Sequence, residues 1–371
     1  QGLYRARAGR CRGPAIRDCL MDPTLGTQYY LALALVFGLA LSLTLLFTWG
    51  AIRVGKRCNL VAMPGGRRMH RGMVVRIGGL GLYPAFLAAS LVTWGFPRID
   101  PLELTRLTGV LLSLGVVWVV GLLDDRLRLS PWAQGMGLIL ASLIAVAFKV
   151  FIELFNSPFS NSQIKVDWYI MLPLTLFWLV GMSNTVNWLD GLDGLAAGVT
   201  AIAALALFVH MIRLTQYSVA FLPLALLGCC LGFLPYNLGR PRIFLGGGAY
   251  VLGHALGVLS IVAGAKVATA LLVVWVPIVD VAWQIYSRWR RGQPAGVGDR
   301  GHLHYRLQDL GWPQRRIVFL YYVITAALGT AALLVSSRLL KLGILAIVAL
   351  TISVGLALLS RAANQNLNPG D

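Results

Sequence analysis

The chain has 371 residues, of which 57% are hydrophobic and 12% are charged, and its mean hydropathy is +0.73. This composition excludes a soluble domain and indicates a polytopic membrane protein. The formal net charge of +18 suits an anionic membrane surface and polyanionic substrates. It does not indicate nucleic-acid binding, because no hydrophilic domain is present on which a basic face could be built.

Apolar segments long enough to cross a bilayer, which takes about 17 to 25 residues, recur along the whole chain. We therefore predict an all-α, polytopic membrane helix bundle with about eleven transmembrane helices. The predicted segments are 29–50, 78–96, 108–123, 133–154, 168–186, 194–213, 217–235, 244–264, 266–287, 316–336 and 339–360.

Lysine and arginine collect in alternate connections between these segments, and short loops rich in these residues stay in the cytoplasm. The loop after the first predicted helix has cations and no acid, at Arg53, Lys56, Arg57, Arg67, Arg68, Arg71 and Arg76. The loop after the ninth is also basic, with Arg288, Arg290, Arg291, Arg300, Arg306, Arg315 and Arg316. The predicted orientation has the amino end outside and the carboxyl end in the cytoplasm.

The first twenty residues do not fit this orientation, because they contain five arginines and would lie outside. The first methionine stands at position 21. We expect residues 1–20 to be an extension that is processed away or precedes the true start, and 21–371 to form a single integral membrane domain. A cleaved signal or an external basic arm is less favoured, because 1–20 contains no apolar core of a signal peptide.

Two adjacent acids, Asp124 and Asp125, end the third predicted helix, and Ser130 with Pro131 begins the next one as N-cap and first-turn residue. Paired carboxylates at a membrane surface can bind Mg²⁺, or can repel each other enough for one to hold a proton as a general base. The alternative is a solvated helix end.

A second polar run interrupts the apolar sequence at Asn184, Asn187, Asp190 and Asp193. Residues three apart share a helix face, so we predict that these side chains lie together. Amides and carboxylates at the edge of a hydrocarbon layer suit a metal–phosphate or nucleotide site. The alternative is a cluster of hydrogen bonds between helices.

The segment 299–307 contains His302 and His304 among arginines that include Arg300 and Arg306. Guanidinium and imidazolium groups are well suited to binding phosphate. Zinc is not favoured, because no cysteine or third matching ligand is nearby.

With these motifs together, the chain resembles the polyprenyl-phosphate N-acetylhexosamine-1-phosphate transferases of glycosyltransferase family 4, to which phospho-MurNAc-pentapeptide transferase is related. The resemblance extends over residues 55–315. The motifs that carry it are Arg67-Arg68-Met69-His70, Arg76-Ile77-Gly78-Gly79-Leu80, Leu123-Asp124-Asp125, Leu129-Ser130-Pro131, the run from Asn184 to Ala196, Gly232-Phe233-Leu234 with Asn237, Phe244-Leu245-Gly246, and the run from His302 to Leu307.

The resemblance implies that a polyprenyl phosphate attacks the β-phosphate of a UDP-amino sugar. The products would be polyprenyl-diphosphate-sugar and UMP, formed with Mg²⁺ at the cytoplasmic face of the bacterial inner membrane to initiate a cell-envelope glycan. The run from His302 to Arg306 resembles the N-acetylglucosamine branch. The partners implied are the lipid phosphate, the UDP-sugar and the membrane, and a homodimer or a larger membrane complex stays open.

The resemblance also implies roles for individual residues. Catalytic roles fall to Asp124, Asp125, Asp190 and Asp193, with Asp124, Asp125 and Asp193 as metal ligands. The implied substrate-binding residues are Asn184, Asn187, Asn237, Phe244, Arg71, Arg76, Arg300, His302, His304 and Arg306, with Phe244 stacked on the uracil and Asn237 bonded to its edge.

Six positions depart from the pattern of the family, among them Ala249 and Tyr250, where members carry glycine and serine. Gly247 stands where members carry an aspartate that is a principal metal ligand, and Gln134 stands where they usually carry lysine. Members often have aspartate at Ala62 and histidine at Tyr305. Loss of a metal carboxylate should cost several kcal/mol, or about three decades in rate.

Two accounts follow from these departures. In the first, the enzyme is active, and the backbone N–H groups of 246–248 bind a phosphate in place of the missing acid. In the second, the chain is catalytically degenerate and acts as a structural or regulatory subunit of a membrane complex. Retention of the other acids favours the first. A transporter is disfavoured, because its polar residues should lie near mid-membrane rather than at one face.

Overall fold

The computed structural model describes residues 23–62, 74–96, 98, 100–156, 163–262, 267–292 and 301–367. Long apolar helices dominate these ranges. They are α1 (Pro23–Arg57), α2 (Gly79–Val92), α3 (Glu103–Leu127), α4 (Pro131–Ala147), α5 (Trp168–Leu189), α6 (Leu195–Arg213), α7 (Tyr217–Asn237), α8 (Gly248–Val262), α9 (Val267–Val273), α10 (Trp275–Arg290), α11 (Leu303–Asp309), α12 (Gln314–Leu334) and α13 (Arg338–Leu367). The predicted extension at 1–20 lies outside the described residues, as do the predicted site residues Arg71 and Arg300.

Two short antiparallel ladders accompany the helices. Strand β1 (Val61–Ala62) pairs with β2 (Val74–Val75), with Val61 opposite Val75. Strand β3 (Leu154–Asn156) pairs with β4 (Gln163–Lys165). Both ladders lie in connections between helices, so the prediction of an all-α polytopic membrane protein is confirmed.

The number of membrane crossings differs from the prediction. In the described residues, seven helices are long and apolar enough to span a bilayer, and an eighth span is formed if α9 and α10 count as one helix bent by 78°. The segments 79–95, 131–147 and 248–262 are apolar but shorter. The predicted count of about eleven is therefore not confirmed.

Helix α8 lies at the centre of the bundle. Every residue from Gly248 to Val262 is buried, and the helix contacts α3, α5, α6 and α7. A helix that is apolar on all sides is stable only when other helices or lipid surround it. Large apolar side chains on the outer helices, such as Met136, Phe177 and Ile347, are instead exposed, as expected of a surface that faces lipid.

The loops before α2 and α8 are joined through their backbones. The N–H groups of Gly78 and Gly79 donate to the carbonyls of Phe244 and Leu245, both at 3.0 Å, and Phe244 N–H donates to Val75 at 2.8 Å. This pairing fixes Phe244 and Gly246 at the end of the bundle where α3, α5 and α7 end and α4, α6 and α8 begin.

Candidate active site

A cavity of about 420 Å³ lies at this end of the bundle. Residues from seven helices and from the loops between them line it. They are Arg76, Asp124, Asp125, Gln134, Asn187, Asp190, Gly191, Leu192, Asp193, Asn237, Phe244, Gly246, Tyr250, Tyr305, Gln308 and Gln314. The structure thus brings together both predicted acid pairs, which are separated by about 65 residues of sequence.

The walls of the cavity are strongly acidic. Four aspartates line it, whereas Arg76 is the single arginine and no lysine contributes among the residues of the lining. Phosphate groups and carboxylates repel each other, because like charges a few ångströms apart interact strongly where water is scarce. A cation that enters together with an anionic substrate would therefore favour its binding in this cavity.

The acid pair at the end of α3 is held by uncharged donors. The Oδ2 atom of Asp125, a buried residue, accepts the backbone N–H of Gly247 at 3.0 Å. The Oδ1 atom of Asp124 accepts Leu129 N–H at 3.0 Å and the side-chain amide of Gln134 at 2.8 Å. Each carboxylate is thus oriented without a basic partner in these contacts.

Helices α3 and α8 meet through glycine backbones. A side chain on Gly247 would overlap the carbonyl group of Gly121, and a Cβ atom on Gly121 would lie 2.7 Å from the carbonyl oxygen of Gly247. Glycine allows this close approach because it presents no side chain at the contact. In this packing, an aspartate at Gly247 would force α3 and α8 apart.

N–H groups of the glycine-rich turn donate within the protein. The N–H of Gly247 donates to Asp125, while Gly248 and Ala249 donate to the carbonyls of Leu245 and Gly246. Of the three predicted N–H groups at 246–248, those of Gly247 and Gly248 are thus engaged within the protein, and phosphate binding by this turn stays a prediction. Gly246, with φ +54°, is required because a Cβ atom there would overlap the Arg76 carbonyl oxygen and the Asp125 carboxylate.

The second acid pair lies in a turn rather than on a helix. Helix α5 ends at Leu189 and α6 begins at Leu195, so Asp190 and Asp193 occupy the connection. Gly194 closes this turn with φ +79°, a conformation that glycine adopts without strain. Asn187, at the end of α5, shares the cavity with both acids.

Asn237 holds the acidic turn in place. Its Oδ1 atom accepts the N–H of Gly194 at 2.9 Å, and its Nδ2 atom donates to Ile243 at 2.9 Å, next to Phe244. From the other side, Tyr322 donates its hydroxyl to the Gly194 carbonyl at 2.6 Å. These bonds favour a structural role for Asn237 beside the implied contact with uracil.

Asn184 lies one turn before the cavity. Its Nδ2 atom donates to the Val180 carbonyl of its own helix at 2.9 Å, and it is absent from the cavity lining.

The two histidines are buried behind the cavity rather than in its lining. The Nδ1 atom of His302 lies 2.9 Å from Oδ2 of Asp280, and the rings of His302 and His304 stack with centroids 5.6 Å apart. His304 in turn lies against Gly191, where a side chain would overlap its Nε2 atom. The histidines therefore support the turn that carries Asp190 and Asp193, while Tyr305 faces the cavity.

Arg306 is also engaged in structural contacts. Its Nε atom donates to the Gly301 carbonyl at 2.6 Å, and Nη1 donates to Leu356 in α13 at 3.3 Å. Direct contact of Arg306 with phosphate stays a prediction.

Asp280 is a site-supporting residue that the sequence reasoning missed. It is buried in α10 and holds two groups, His302 and the N–H of Leu303 at the start of α11, the latter at 2.9 Å from Oδ1. The segment that contains it, 266–287, is predicted from the sequence as an apolar transmembrane helix. An acid inside such a segment is itself a functional signal, and it could have identified Asp280.

The oxygen atoms of the cavity suit Mg²⁺. Among the described residues, no three Asp, Glu, His or Cys side chains form a group that could hold a metal by themselves. However, Mg²⁺ usually keeps several waters and binds one or two carboxylates together with substrate phosphates. The acidic lining therefore fits a magnesium ion that shares its coordination with substrate.

The chain is similar to known proteins of one family. The model of glycosyl transferase family 4 matches residues 107–264. A decaprenyl-phosphate N-acetylglucosaminephosphotransferase of Mycolicibacterium smegmatis is 33% identical over 78% of this chain and 79% of its own length. A protein of Bacillus subtilis, named a probable undecaprenyl-phosphate N-acetylglucosaminyl 1-phosphate transferase, is 28% identical over 86% and 89%. A phospho-N-acetylmuramoyl-pentapeptide-transferase of Nostoc is 31% identical over 70% and 74%.

The contact between Gly121 and Gly247 predicts the effect of a larger residue. Gly247→Ala should destabilise the protein by about 1–3 kcal/mol, because overpacking forces neighbouring backbones to move. Thermal unfolding in detergent measures this change, with Gly181→Ala as control, since a methyl group at Gly181 meets nothing within 4 Å. Gly247→Asp should be less stable still. An unchanged melting temperature for Gly247→Ala would contradict the close contact.

The anchor at Asp280 gives a second prediction. Asp280→Asn should lower the melting temperature markedly, because asparagine keeps one acceptor oxygen where the two carboxylate oxygens contact His302 Nδ1 and Leu303 N–H, and a buried hydrogen-bonding group left unsatisfied costs about 1–3 kcal/mol. The exposed Asp309, at the end of α11, provides the matched control Asp309→Asn, which should have little effect. Equal stability of the two variants would remove the anchoring role of Asp280.

Proposed function

The chain belongs to glycosyl transferase family 4, and on that premise we propose that it transfers N-acetylglucosamine 1-phosphate from a UDP-sugar to polyprenyl phosphate. The observation that carries the proposal is the single cavity in which both aspartate pairs, Arg76 and Phe244 meet at one end of a membrane bundle. The relatives named above support N-acetylglucosamine as the sugar.

In the proposed reaction, an oxygen of the lipid phosphate forms a bond with the β-phosphorus of the UDP-sugar. The bond from that phosphorus to the oxygen shared with the α-phosphate breaks, and UMP leaves. Phosphoryl transfer needs mainly positioning and neutralisation of charge. Magnesium bound at Asp193 and the α3 acids would supply that neutralisation and polarise the phosphoryl oxygens.

The chain's own residues divide the remaining work. We assign Asp124 and Asp125 to the lipid phosphate, and Asp190 and Asp193 with Asn187 to the diphosphate. The ring of Phe244 would stack on uracil, since aromatic faces bind bases by stacking. Arg76, the arginine of the lining, would donate to a phosphate oxygen.

A catalytically degenerate subunit is the second candidate. It is favoured by Gly247, which carries no carboxylate, and by the hydrogen bonds that already hold Asp124 and Asp125. Against it, the cavity persists with four acids on its walls. Clustered acids repel one another and stabilise no fold by themselves, so a role toward ligand explains them better.

The proposed reaction is tested by UMP release from UDP-N-acetylglucosamine, with purified protein, undecaprenyl phosphate and Mg²⁺. We expect activity in the unaltered chain and a loss of about a thousandfold for Asp193→Asn, because a metal-binding carboxylate supplies several kcal/mol. Asp167→Asn is the matched control, because Asp167 is exposed at the start of α5, the end that lies away from the cavity.

If the unaltered chain releases no UMP and co-purifies stoichiometrically with other membrane proteins, the hypothesis of a catalytically degenerate subunit would be supported instead. Binding of the UDP-sugar that is unaffected by Asp193→Asn would remove Asp193 from the substrate site.

We also propose that the cavity opens toward the cytoplasm of a bacterial inner membrane, as the basic loops indicate. Cys58 follows α1 at the same end as the cavity and is exposed, whereas Cys229 and Cys230 are buried. In a variant with Cys11 and Cys19 replaced by serine, a membrane-impermeant maleimide should label Cys58 only after the cells are opened. Labelling of intact spheroplasts, absent in Cys58→Ser, would reverse the orientation.

A further inference from the structure

We propose that Tyr250 is a positioning residue that acts on Asp124 through Gln134. This inference rests on the proposed function, because it assigns Tyr250 a part in the same reaction. All three residues line the cavity, and they come from α8, α3 and α4 respectively.

The first step is the orientation of the Gln134 amide. Its Nε2 atom donates to Asp124 Oδ1 at 2.8 Å and to the Leu129 carbonyl at 3.1 Å. A side-chain amide has two N–H hydrogens, and these two acceptors use both. The Oε1 atom must therefore point away from Asp124.

The second step concerns Tyr250. Its hydroxyl oxygen lies 3.0 Å from Gln134 Oε1. An amide oxygen can only accept, so the tyrosine O–H must donate. The ring is held firmly, since Tyr250 is 5% exposed. A chain of hydrogen bonds thus runs in one direction from Tyr250 through Gln134 to Asp124.

These hydrogen bonds fix the orientation of the Asp124 carboxylate. Helix α3 ends at Leu127, and the backbone bond from Leu129 reaches the same Oδ1 atom as Gln134 does. Two donors on one oxygen fix the plane of the carboxylate, and they hold it without adding a positive charge. The Asp124 carboxylate is therefore oriented at the cavity by uncharged donors alone in these two contacts.

Tyr250 also connects Asp124 to the glycine contact. It lies one turn beyond Gly246 and Gly247, the residues that hold Asp125. The start of α8 therefore orients both acids of the pair, Asp125 through a backbone N–H and Asp124 through Tyr250 and Gln134. Displacement of a catalytic group by about 1 Å can cost a hundredfold in rate.

The test compares Tyr250→Phe, Gln134→Met and the double variant in the UMP-release assay. We expect kcat to fall about 10- to 100-fold in each variant, because the hydrogen bonds from Tyr250 through Gln134 orient Asp124. The KM for the UDP-sugar should stay within about twofold of the unaltered value, because these hydrogen bonds do not bind the nucleotide. The double variant should be no slower than Gln134→Met alone, since both changes break the same chain.

The matched control is Tyr169→Phe, which also removes a tyrosine hydroxyl that donates to an aspartate, Asp167, but at the other end of α5. It should leave kcat unchanged. Monodispersity in detergent and binding of UDP-N-acetylglucosamine confirm that each variant is folded. If Tyr250→Phe does not fold, Gln134→Met interrupts the same chain at its centre, and a normal kcat for it would overturn the proposal.

The outcomes separate this inference from the function on which it rests. A silent unaltered chain would overturn both. An active chain in which Tyr250→Phe keeps a normal kcat, or raises KM alone, would overturn the positioning role and leave the reaction standing. Additive losses in the double variant would also overturn it, because they would show that Tyr250 and Gln134 act separately.

Discussion

The backbone contact between Gly121 in α3 and Gly247, the residue before α8, determines the geometry of the site. Without side chains at this point, the two helices approach until the acids at the end of α3 lie beside the start of α8. Asp125 can then accept the Gly247 N–H, and Tyr250 can reach Gln134. A single steric condition, the absence of a Cβ atom at both positions, therefore places one entire wall of the cavity.

Charge is distributed in opposite ways inside and around the cavity. The protein carries a net charge of +18, most of it in loops, yet the cavity itself joins four aspartates to one arginine. A basic exterior raises the local concentration of phosphate-bearing molecules, whereas an acidic interior rejects them unless a cation enters as well. This arrangement would make productive binding depend on metal and substrate together, which is a form of selectivity for phosphates that already carry magnesium.

Sequence reasoning succeeded where one segment determines the outcome. The apolar runs became helices, and Ser130 caps α4 through a bond to Ala133 N–H at 3.3 Å, as its position before Pro131 predicts. It was incomplete where the deciding partner is distant in sequence. Neither segment alone indicates that the Nδ1 atom of buried His302 lies 2.9 Å from Oδ2 of Asp280, twenty-two residues earlier, and phosphate binding by His302 stays a prediction. The predicted count of about eleven spans is not confirmed, because three of the apolar segments, 79–95, 131–147 and 248–262 in the described residues, form shorter helices.

Two departures from the family pattern, at Gly247 and Gln134, contact the same pair of acids at the end of α3. Considered alone, glycine at 247 removes a metal ligand and glutamine at 134 removes a positive charge. In the structure, the same glycine supplies the N–H that orients Asp125, and the same glutamine supplies the amide that orients Asp124. A lysine at 134 would neutralise the charge of a carboxylate. Gln134, oriented by Tyr250, instead fixes the orientation of the Asp124 carboxylate through a hydrogen bond. At these two positions, uncharged groups therefore orient the two acids at the end of α3 through hydrogen bonds.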